Sequence, residues 1–327
     1  MDLKTSQGRR SVTSVLEEAR SGRPSRRTFP TGFAALDRVF GGGLRTRNLT
    51  LVGGAPGAGK TITTLQWARN IARDGGVVVF ACYEHDESTL LSRLLHLELG
   101  ELSTGERLDE GGRKARIALG RVESGFISLQ DARSQAPIIR EAEDQIGAYS
   151  ERLWLVRASG EHTTLDALTE LVSTDTDALF VDYLQKVPLT AKVDNERERL
   201  TIVSQGLKEL AMSANIAVVA VAAASAEGLE SPRLRLHHLR GSSALVYEAD
   251  VVVLLNDKYS IVSRSQMAHN LTAAEGFKNK VVFTVAKNRD GSDRIDLEFQ
   301  KQYEYLRVNP AGGPVVERLI DDKLFTE

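Results

Sequence analysis

The sequence predicts an α/β protein built on a mostly parallel, twisted sheet that is flanked by helices and extended by antiparallel strands near the C-terminus. Several β-rich runs are apolar at successive residues, as expected for strands that are buried on both faces. Helical stretches separate most of these runs, which favours parallel strands joined by helices. The last runs follow one another closely, which favours antiparallel pairing at that end.

Seven runs are the clearest strand candidates: 48–53, 77–82, 153–156, 178–181, 216–221, 251–255 and 281–286. Runs 294–299 and 303–308 come too soon after 281–286 for a crossover helix, so they predict the antiparallel extension. Two more polar stretches, 99–150 and 257–279, are predicted to be elaborations of the domain. Residues 271–277 form a helical fragment in the second of them.

Composition limits the function classes. The formal net charge of the 327 residues is -2, which does not favour a globally basic nucleic-acid binder but permits a local basic loop. The single cysteine, Cys82, lies in an apolar run and is predicted to be buried and inert. Since the sequence has no apolar leader and no run of about 18 apolar residues, we expect a cytoplasmic protein without a membrane segment.

Residues 1–29 are predicted to form an arm that precedes one large domain, 30–327. Ser11 is suited to cap a short helix in this arm, and Gly22 follows that helix. The helix has one narrow apolar stripe, formed by Val12, Val15, Leu16 and Ala19. Such a stripe must be buried, either by folding back on its own core or by docking on a neighbouring subunit.

Residues 54–61 match the Walker A pattern, follow a predicted strand and open a predicted helix, 62–72. The glycines let backbone N–H groups face inward around phosphate, and the helix N-terminus adds positive potential. Lys60 is expected to reach the β- and γ-phosphates of ATP, and Thr61 to coordinate Mg²⁺. The predicted nucleotide-binding residues are Gly54, Ala55, Pro56, Gly57, Ala58, Gly59, Lys60, Thr61 and Ile62.

Two carboxylates are predicted to complete this site. Asp182 follows the apolar run 178–181 in the Walker B form, so it is expected to lie near Mg²⁺. Glu84 ends another apolar run, on a strand expected beside the P-loop strand, and is the candidate general base. Glu87 and Asp86 are the alternative bases, and a helix-capping role for Glu84 is the alternative function.

Taken in order, these motifs resemble the C-terminal motor domain of the DnaB-type replicative helicases, within the RecA superfamily of P-loop NTPases. The similarity covers roughly residues 29–308. It implies a RecA-like fold, ATP hydrolysis with Mg²⁺, binding of single-stranded DNA and a homo-oligomeric ring, usually a hexamer. The segments that carry it are 30–33, 36–37 and 41–44, then 80–84, 182–185, 239–244 with 249–250, and 287–291.

The resemblance also implies roles for particular residues. Glu84 corresponds to the family's catalytic glutamate. Lys287 and Arg289 resemble the Lys-x-Arg element that one subunit inserts into its neighbour's ATP site. Their spacing of two lets both side chains point the same way from a strand end. The helix of the arm occupies the place of the linker helix that packs on the adjacent subunit and closes the ring.

DNA contacts are expected from two segments that the family's channel loops suggest. Arg233 and Arg235 lie in a net basic stretch, whereas Lys192 and Arg197 lie in one that is nearly charge-balanced. Neither segment contains an aromatic residue on which a base could stack, so we expect contacts to the phosphate backbone without base reading.

The sequence departs from the family in two ways. Ala223 stands where the family typically places a glutamine that senses the γ-phosphate, and alanine cannot hydrogen-bond through its side chain. Only about 30 residues precede the predicted motor, so we do not expect primase docking in the family's usual manner. Both departures favour the alternative function, a regulatory or assembly ATPase without processive unwinding. The glycine-rich segments 41–43 and 54–57 also resemble the RadA and KaiC branches.

Overall fold

A mostly parallel sheet forms the centre of the molecule. The computed structural model describes residues 10–21, 26–103, 110–190, 193, 195–262 and 271–320. Their strands are β1 (Thr28–Phe29), β2 (Leu44–Arg45), β3 (Leu49–Gly54), β4 (Val78–Cys82), β5 (Leu153–Arg157), β6 (Ala178–Asp182), β7 (Ala217–Ala223), β8 (Val251–Asp257), β9 (Lys280–Asn288), β10 (Ile295–Gln302), β11 (Arg307–Val308) and β12 (Gly313–Pro314).

β1 and β2 pair with each other, and the other ten strands form one sheet in the order β11-β10-β9-β8-β3-β7-β6-β4-β5, with β12 paired to β10. The six strands from β8 to β5 in this order run parallel, whereas β9, β10, β11 and β12 pair antiparallel. The predicted fold class, with its C-terminal antiparallel extension, is therefore confirmed.

Helices cover both faces of the sheet. They are α1 (Val12–Arg20), α2 (Ala34–Phe40), α3 (Lys60–Arg73), α4 (Glu87–Leu102), α5 (Glu110–Glu123), α6 (Leu129–Gln135), α7 (Ile138–Gly147), α8 (Leu165–Glu170), α9 (Glu196–Ser213), α10 (Ala226–Glu230), α11 (Ser242–Glu248), α12 (Lys258–Ile261) and α13 (Leu271–Phe277). One core contains Trp67 of α3 and the other contains Leu207 of α9. Because β3, β4 and β6 lie between these cores, every residue of these strands is buried.

The strand register brings four chain segments to the same edge of the sheet. Gly54 at the end of β3 pairs with Ala223 at the end of β7, and Cys82 at the end of β4 pairs with Asp182 at the end of β6. The expectation that β4 lies beside the P-loop strand was wrong, because β7 and β6 stand between β3 and β4. The carboxyl ends nevertheless meet, since all four strands are parallel.

The described residues of the first predicted elaboration, 99–150, are mostly helical and have their own small core. Leu99 of α4, Leu119 of α5 and Ile139 of α7 are fully or almost fully buried there, and Tyr305 packs against them. In the second elaboration, the helix predicted over 271–277 is observed as α13. Residues 263–270 lie outside the described residues.

The prediction of a strand over 303–308 was wrong for most of its length. The chain instead forms a 3-10 turn, Tyr303–Tyr305, and Leu306 adopts a left-handed φ of 48°. Only Arg307–Val308 is a strand. The turn carries the Tyr303 hydroxyl to the P-loop, where it donates a hydrogen bond to the Ala58 carbonyl oxygen (2.8 Å).

The N-terminal helix is observed as predicted, with the Ser11 side chain accepting a hydrogen bond from the Ser14 N–H at its start. Gly22 lies outside the described residues. All nine residues of α1 are exposed, including Val12, Val15 and Leu16 of the apolar stripe. The helix therefore does not fold back onto the described part of its own core. Across the part of the chain that the structure describes, no helix combines the length and apolarity needed to span a membrane.

Candidate functional site

The P-loop connects the buried strand β3 to α3 and curls through two glycines with left-handed backbone, Gly57 (φ 76°) and Gly59 (φ 89°). A Cβ atom at Gly59 would collide with the Tyr303 hydroxyl, so this position requires glycine on two grounds. The backbone thus forms the concave turn that the sequence predicts for phosphate.

A cavity of about 390 Å³ lies against this loop. Its lining residues are Pro56, Gly57, Gly59, Lys60, Thr61, Ile62, Glu84, Arg93, Asp182, Tyr183 and Ala223. The Lys60 ammonium donates a hydrogen bond to the Ala55 carbonyl oxygen at 2.9 Å. Burial lowers the pKa of Lys60, and the nearby carboxylates of Asp182 and Glu84 oppose this effect. An incoming phosphate can therefore replace a neutral carbonyl as the partner of a partly buried cation.

Asp182 is the most deeply buried acid of the cavity, with 1% of its surface exposed. Burial and the neighbouring Glu84 carboxylate raise its pKa to about 6, while the hydrogen bond to Thr61 acts in the opposite direction. Among the described residues, its Oδ2 atom has no hydrogen-bond partner. A hydroxyl and a buried carboxylate with an unpartnered oxygen form a donor set that suits Mg²⁺, which prefers oxygen ligands. Thr61 and Asp182 would hold the ion, and it would neutralise charge on the phosphates.

Glu84 lies immediately beyond β4 and lines the cavity together with Asp182. Its side chain is 41% exposed, and its nearest basic partner is Lys186, with 4.0 Å between Nζ and Oε1. The two alternative bases, Asp86 and Glu87, each accept a hydrogen bond from a backbone N–H group. Asp86 caps α4 by accepting the Thr89 N–H (2.8 Å), and Glu87 accepts the Arg157 N–H (3.1 Å). Of these three carboxylates, Glu84 is the one that lines the cavity.

The sequence did not predict two contributions near the P-loop: Arg93, which lines the cavity, and Tyr303, which bonds to the loop without lining the cavity. Arg93 reaches the cavity from α4, and its Nη2 lies 3.0 Å from His85 Nε2. The short distance in sequence between Glu84 and α4 could have indicated this contribution. Tyr303 is a different case, because it comes from the far end of the chain and contacts Ala58 only through the turn after β10.

Lys287 and Arg289 lie at the opposite edge of the sheet from the P-loop. Lys287 pairs with Val252 near the start of β8, and the Arg289 N–H bonds to the Asp250 carbonyl oxygen. The Asp250 N–H in turn bonds to Leu49, the first residue of β3. Because β3 advances about 3.3 Å per residue, its five steps from the start to the P-loop span about 17 Å.

The side chains of both basic residues are held by the C-terminal end of α11. The Lys287 ammonium donates to the carbonyl oxygens of Val246 (2.5 Å) and Ala249 (2.6 Å), and the Arg289 guanidinium donates to that of Tyr247. Burial and the Arg289 charge lower the pKa of Lys287. The two side chains thus lie at the same end of α11, and the strand path separates them from their own chain's P-loop.

Comparison with known proteins decides the family. The family model described as the DnaB-like helicase C terminal domain matches residues 28–307. The chain belongs to this family.

Curated relatives agree with that assignment. Replicative DNA helicase DnaC of Bacillus subtilis (strain 168) is 26% identical over 302 residues, covering 87% of this chain and 58% of the relative. Replicative DNA helicase DnaB of Geobacillus stearothermophilus is 27% identical over 286 residues, covering 84% and 55%. The chain therefore spans little more than half the length of these relatives.

Solved structures show the same fold. One of them, described as an ATPase domain, superposes with a TM-score of 0.69 at 20% identity, covering 91% of this chain and 96% of that one. A DnaB-like replicative helicase, whose structure was described with its interactions with primase, superposes with a TM-score of 0.68 at 20% identity, covering 91% and 67%.

The residues expected to contact DNA differ in their exposure and in their hydrogen-bond partners. Arg233 is 6% exposed, and its guanidinium donates to both carboxylate oxygens of Asp296 (2.7 and 2.8 Å). The geometry therefore argues against a phosphate contact by Arg233. Arg235 is half-buried and donates to the Ile320 carbonyl oxygen (3.2 Å), whereas Arg197 is exposed at the start of α9. Lys192 lies outside the described residues.

An exposed arginine that the DNA prediction omitted lies close to Arg197. The Arg240 side chain is 53% exposed and contacts Glu196 at 2.6 Å, next to Arg197 in sequence. Arg240 was included only as part of a motif in the sequence analysis. Its exposure could not be read from the sequence, because the adjacent Leu239 is buried and the surrounding motif does not distinguish exposed from buried positions.

Proposed function

We propose that the chain is an ATPase motor that hydrolyses ATP with Mg²⁺ at a site shared between identical subunits. The observation that carries this proposal is the separation of two sets of residues. Lys60, Thr61, Asp182 and Glu84 meet at the carboxyl edge of the sheet, whereas Lys287 and Arg289 lie at the opposite edge. The second set can act on a nucleotide only when the nucleotide is bound to another copy.

Each residue then has one role in the reaction. Lys60 and the P-loop N–H groups bind the phosphates, and Thr61 and Asp182 hold Mg²⁺. Glu84 orients the attacking water and accepts its proton. Arg289, with Lys287 beside it, stabilises the charge that develops on the γ-phosphate of the neighbour's ATP.

The exposed helix α1 supports an assembly of several copies. Its apolar stripe is uncovered in a single chain, and α1 lies within the arm, 1–29, that precedes the proposed ATPase domain, 30–327. We propose that this stripe docks on the adjacent subunit and that the copies close into a ring of six. A closed ring gives every P-loop one neighbour that can deliver Arg289.

We further propose that the ring binds single-stranded DNA through its phosphates and translocates on it. Membership of a helicase family and the exposed arginines Arg197 and Arg240 support this proposal. Such binding is expected to weaken as salt increases, because phosphate contacts release counterions. Arg240→Ala should lower DNA affinity and reduce the slope of that salt dependence, with the exposed Arg140→Ala as a matched control.

A regulatory ATPase without processive unwinding is the second candidate. Ala223 lines the cavity without a side-chain hydrogen-bonding group, and Arg233 is buried, so two features expected of a DNA-coupled motor are missing. This candidate requires ATP turnover that is independent of DNA.

Steady-state ATP hydrolysis, measured with and without single-stranded DNA, separates the two candidates. Strong stimulation of wild type by DNA, with loss of turnover in Glu84→Gln, supports the motor, and strand displacement on a forked DNA then tests unwinding directly. Turnover that is lost in Glu84→Gln but ignores DNA supports the regulatory ATPase. Unchanged turnover in Glu84→Gln would remove Glu84 from the catalytic role.

A further inference from the structure

Gln185 connects three segments of the chain beside the nucleotide cavity. It lies in a 3-10 turn, Leu184–Lys186, three residues after Asp182, and is 6% exposed. Its Oε1 accepts a hydrogen bond from the Ala223 N–H at 3.1 Å, and its Nε2 donates to the Arg240 carbonyl oxygen at 3.3 Å. Both ends of one buried amide are therefore bonded to main chain on other segments.

The same two partners also bond to each other. The Arg240 N–H donates to the Ala223 carbonyl oxygen at 3.0 Å, which closes a ring of three hydrogen bonds through Gln185. Ala223 is a wall of the cavity, and Arg240 is the last residue before the left-handed Gly241 that starts α11. This ring of three hydrogen bonds thus joins Ala223, at the cavity wall, to Arg240, at the far end of the segment that follows β7.

That segment, 224–240, is an excursion whose two ends are fastened together. Ala224 and Leu239 form an antiparallel bridge, and the Ser225 N–H donates to the His238 carbonyl oxygen at 2.7 Å. Gln185 is a side chain from a third segment that holds this closure. A change in the relative position of β6 and β7 would therefore alter the hydrogen bonds that close segment 224–240.

The main chain of Gln185 is itself held in place. Arg199 of α9 donates to the carbonyl oxygens of Gln185 and Val187, each at 2.9 Å. Because Arg199 holds this main chain, a movement of the turn with Ala223 would have to break or stretch these two hydrogen bonds. Amide hydrogen bonds weaken steeply when distance or angle departs from the normal range, so a shift of Ala223 alone would release one of the two bonds that the Gln185 amide makes.

We propose that Gln185 is the positioning residue through which nucleotide in the cavity controls the conformation of segment 224–240. It would supply the hydrogen-bonding link that the side chain of Ala223 lacks. This inference rests on the proposed function only in requiring that the cavity binds nucleotide. A coupling residue acts by having different interactions in two states, and the ring of three hydrogen bonds supplies an element with an intact and an opened state.

The test is hydrogen–deuterium exchange of the full chain, with and without a non-hydrolysable ATP analogue and Mg²⁺. In wild type, we expect the analogue to change amide exchange in segment 224–240 by about fivefold or more, within the usual range of coupling between sites. Gln185→Met keeps the length of the side chain but neither hydrogen bond, so this response should fall below about twofold, while affinity for the analogue changes little.

Two further variants separate coupling from a purely structural role. Gln185→Glu keeps the acceptor for the Ala223 N–H but loses the donor to Arg240, so its response should be intermediate. Gln130→Met changes an exposed glutamine of α6 in the same way and should respond like wild type. If Gln185→Met loosens the segment without nucleotide, the graded response of Gln185→Glu still decides the question.

Two results would overturn the inference: a wild-type segment 224–240 that does not respond to the analogue, or Gln185→Met and Gln185→Glu responses equal to wild type. Neither result depends on DNA. The proposed motor function is judged by DNA-stimulated hydrolysis of wild type, so the two can fail separately.

Discussion

The two edges of the central sheet hold their charged residues in opposite ways. At the carboxyl edge, Lys60 and Asp182 line a cavity, and Asp182 Oδ2 lacks a hydrogen-bond partner among the described residues. At the other edge, Lys287 donates to the carbonyl oxygens of Val246 and Ala249, and Arg289 donates to that of Tyr247, all at the C-terminal end of α11. The first edge presents an unpartnered carboxylate oxygen beside a cavity, whereas at the second edge both basic side chains already donate to carbonyl oxygens while Arg289 stays half-exposed.

A site shared between subunits, as proposed, would restrict hydrolysis to the assembled protein. In the single chain, the proposed nucleotide site lies at the carboxyl edge, and the Arg289 guanidinium donates to the Tyr247 carbonyl oxygen at the other edge. A charged γ-phosphate on a neighbouring copy is a stronger acceptor for guanidinium than a main-chain carbonyl, so assembly favours the exchange of partners.

Arg289→Ala should reduce ATP hydrolysis by about a thousandfold, since an arginine delivered to the γ-phosphate contributes about 10³–10⁵ to turnover. Nucleotide affinity should change only slightly, because Arg289 lies at the other edge from its own P-loop. Hydrolysis and equilibrium binding of a fluorescent nucleotide would be measured together. Arg140→Ala, a change at another exposed arginine, is the control, and an Arg289→Ala protein with near-normal turnover would exclude the assignment.

Leu16→Asp should weaken self-association by about a hundredfold, because burying a leucine contributes about 1.5–3 kcal/mol and a buried aspartate adds a desolvation cost. Leu16 is 47% exposed in the single chain, so the stability of the chain itself should not change. Sedimentation would report assembly, and urea unfolding would report stability. A variant that unfolds more easily but still assembles would place α1 on its own core.

Asp182→Asn should stabilise the nucleotide-free protein by about 2–3 kcal/mol at pH 7, the penalty that a rise in pKa of about two units represents. The sign follows from the pKa of about 6 for folded Asp182 against its ordinary value of 3.8. Burial disfavours the ionised form, so the penalty is full above pH 6 and disappears as pH falls toward 4. Urea unfolding at pH 7 and at pH 4.5 should therefore show a difference that shrinks with acid.

Mg²⁺-dependent nucleotide binding should weaken by about tenfold between pH 7 and pH 5, since protons compete with the ion for Asp182 once pH falls below its pKa. Calorimetric titration with Mg²⁺ and ADP at several pH values would measure this effect. An Mg²⁺ affinity that is constant over this range would show that Asp182 does not coordinate the ion.

The carboxyl edge could largely be predicted from the sequence, because local patterns specify it. A Walker A motif after a buried strand requires a phosphate-binding turn, and Asp182 and Glu84 each end an apolar run. Parallel strands bring their carboxyl ends to one edge of the sheet in any strand order. The predicted position of Glu84 at this edge was therefore correct, although the predicted neighbour of β4 was wrong.

Other features depend on contacts that sequence does not reveal. Arg233 looked like a DNA ligand, but Asp296, 63 positions later, pairs with it in the folded chain. Tyr303 was predicted to lie in a strand, but its hydroxyl contacts Ala58, which lies near the other end of the domain's sequence. Long-range pairing determines both outcomes, and neither residue type nor local periodicity indicates it.

The shared site itself is tested most directly by mixing Arg289→Ala chains with Lys60→Ala chains. Each variant alone should be nearly inactive, because one lacks the arginine and the other lacks the P-loop lysine. In a mixed ring at equal proportions, about a quarter of the interfaces should join an intact P-loop to an intact arginine, so activity should recover to a similar fraction of wild type. Activity that never exceeds the sum of the two variants, in rings that light scattering and mass spectrometry show to be mixed, would contradict a site shared between subunits.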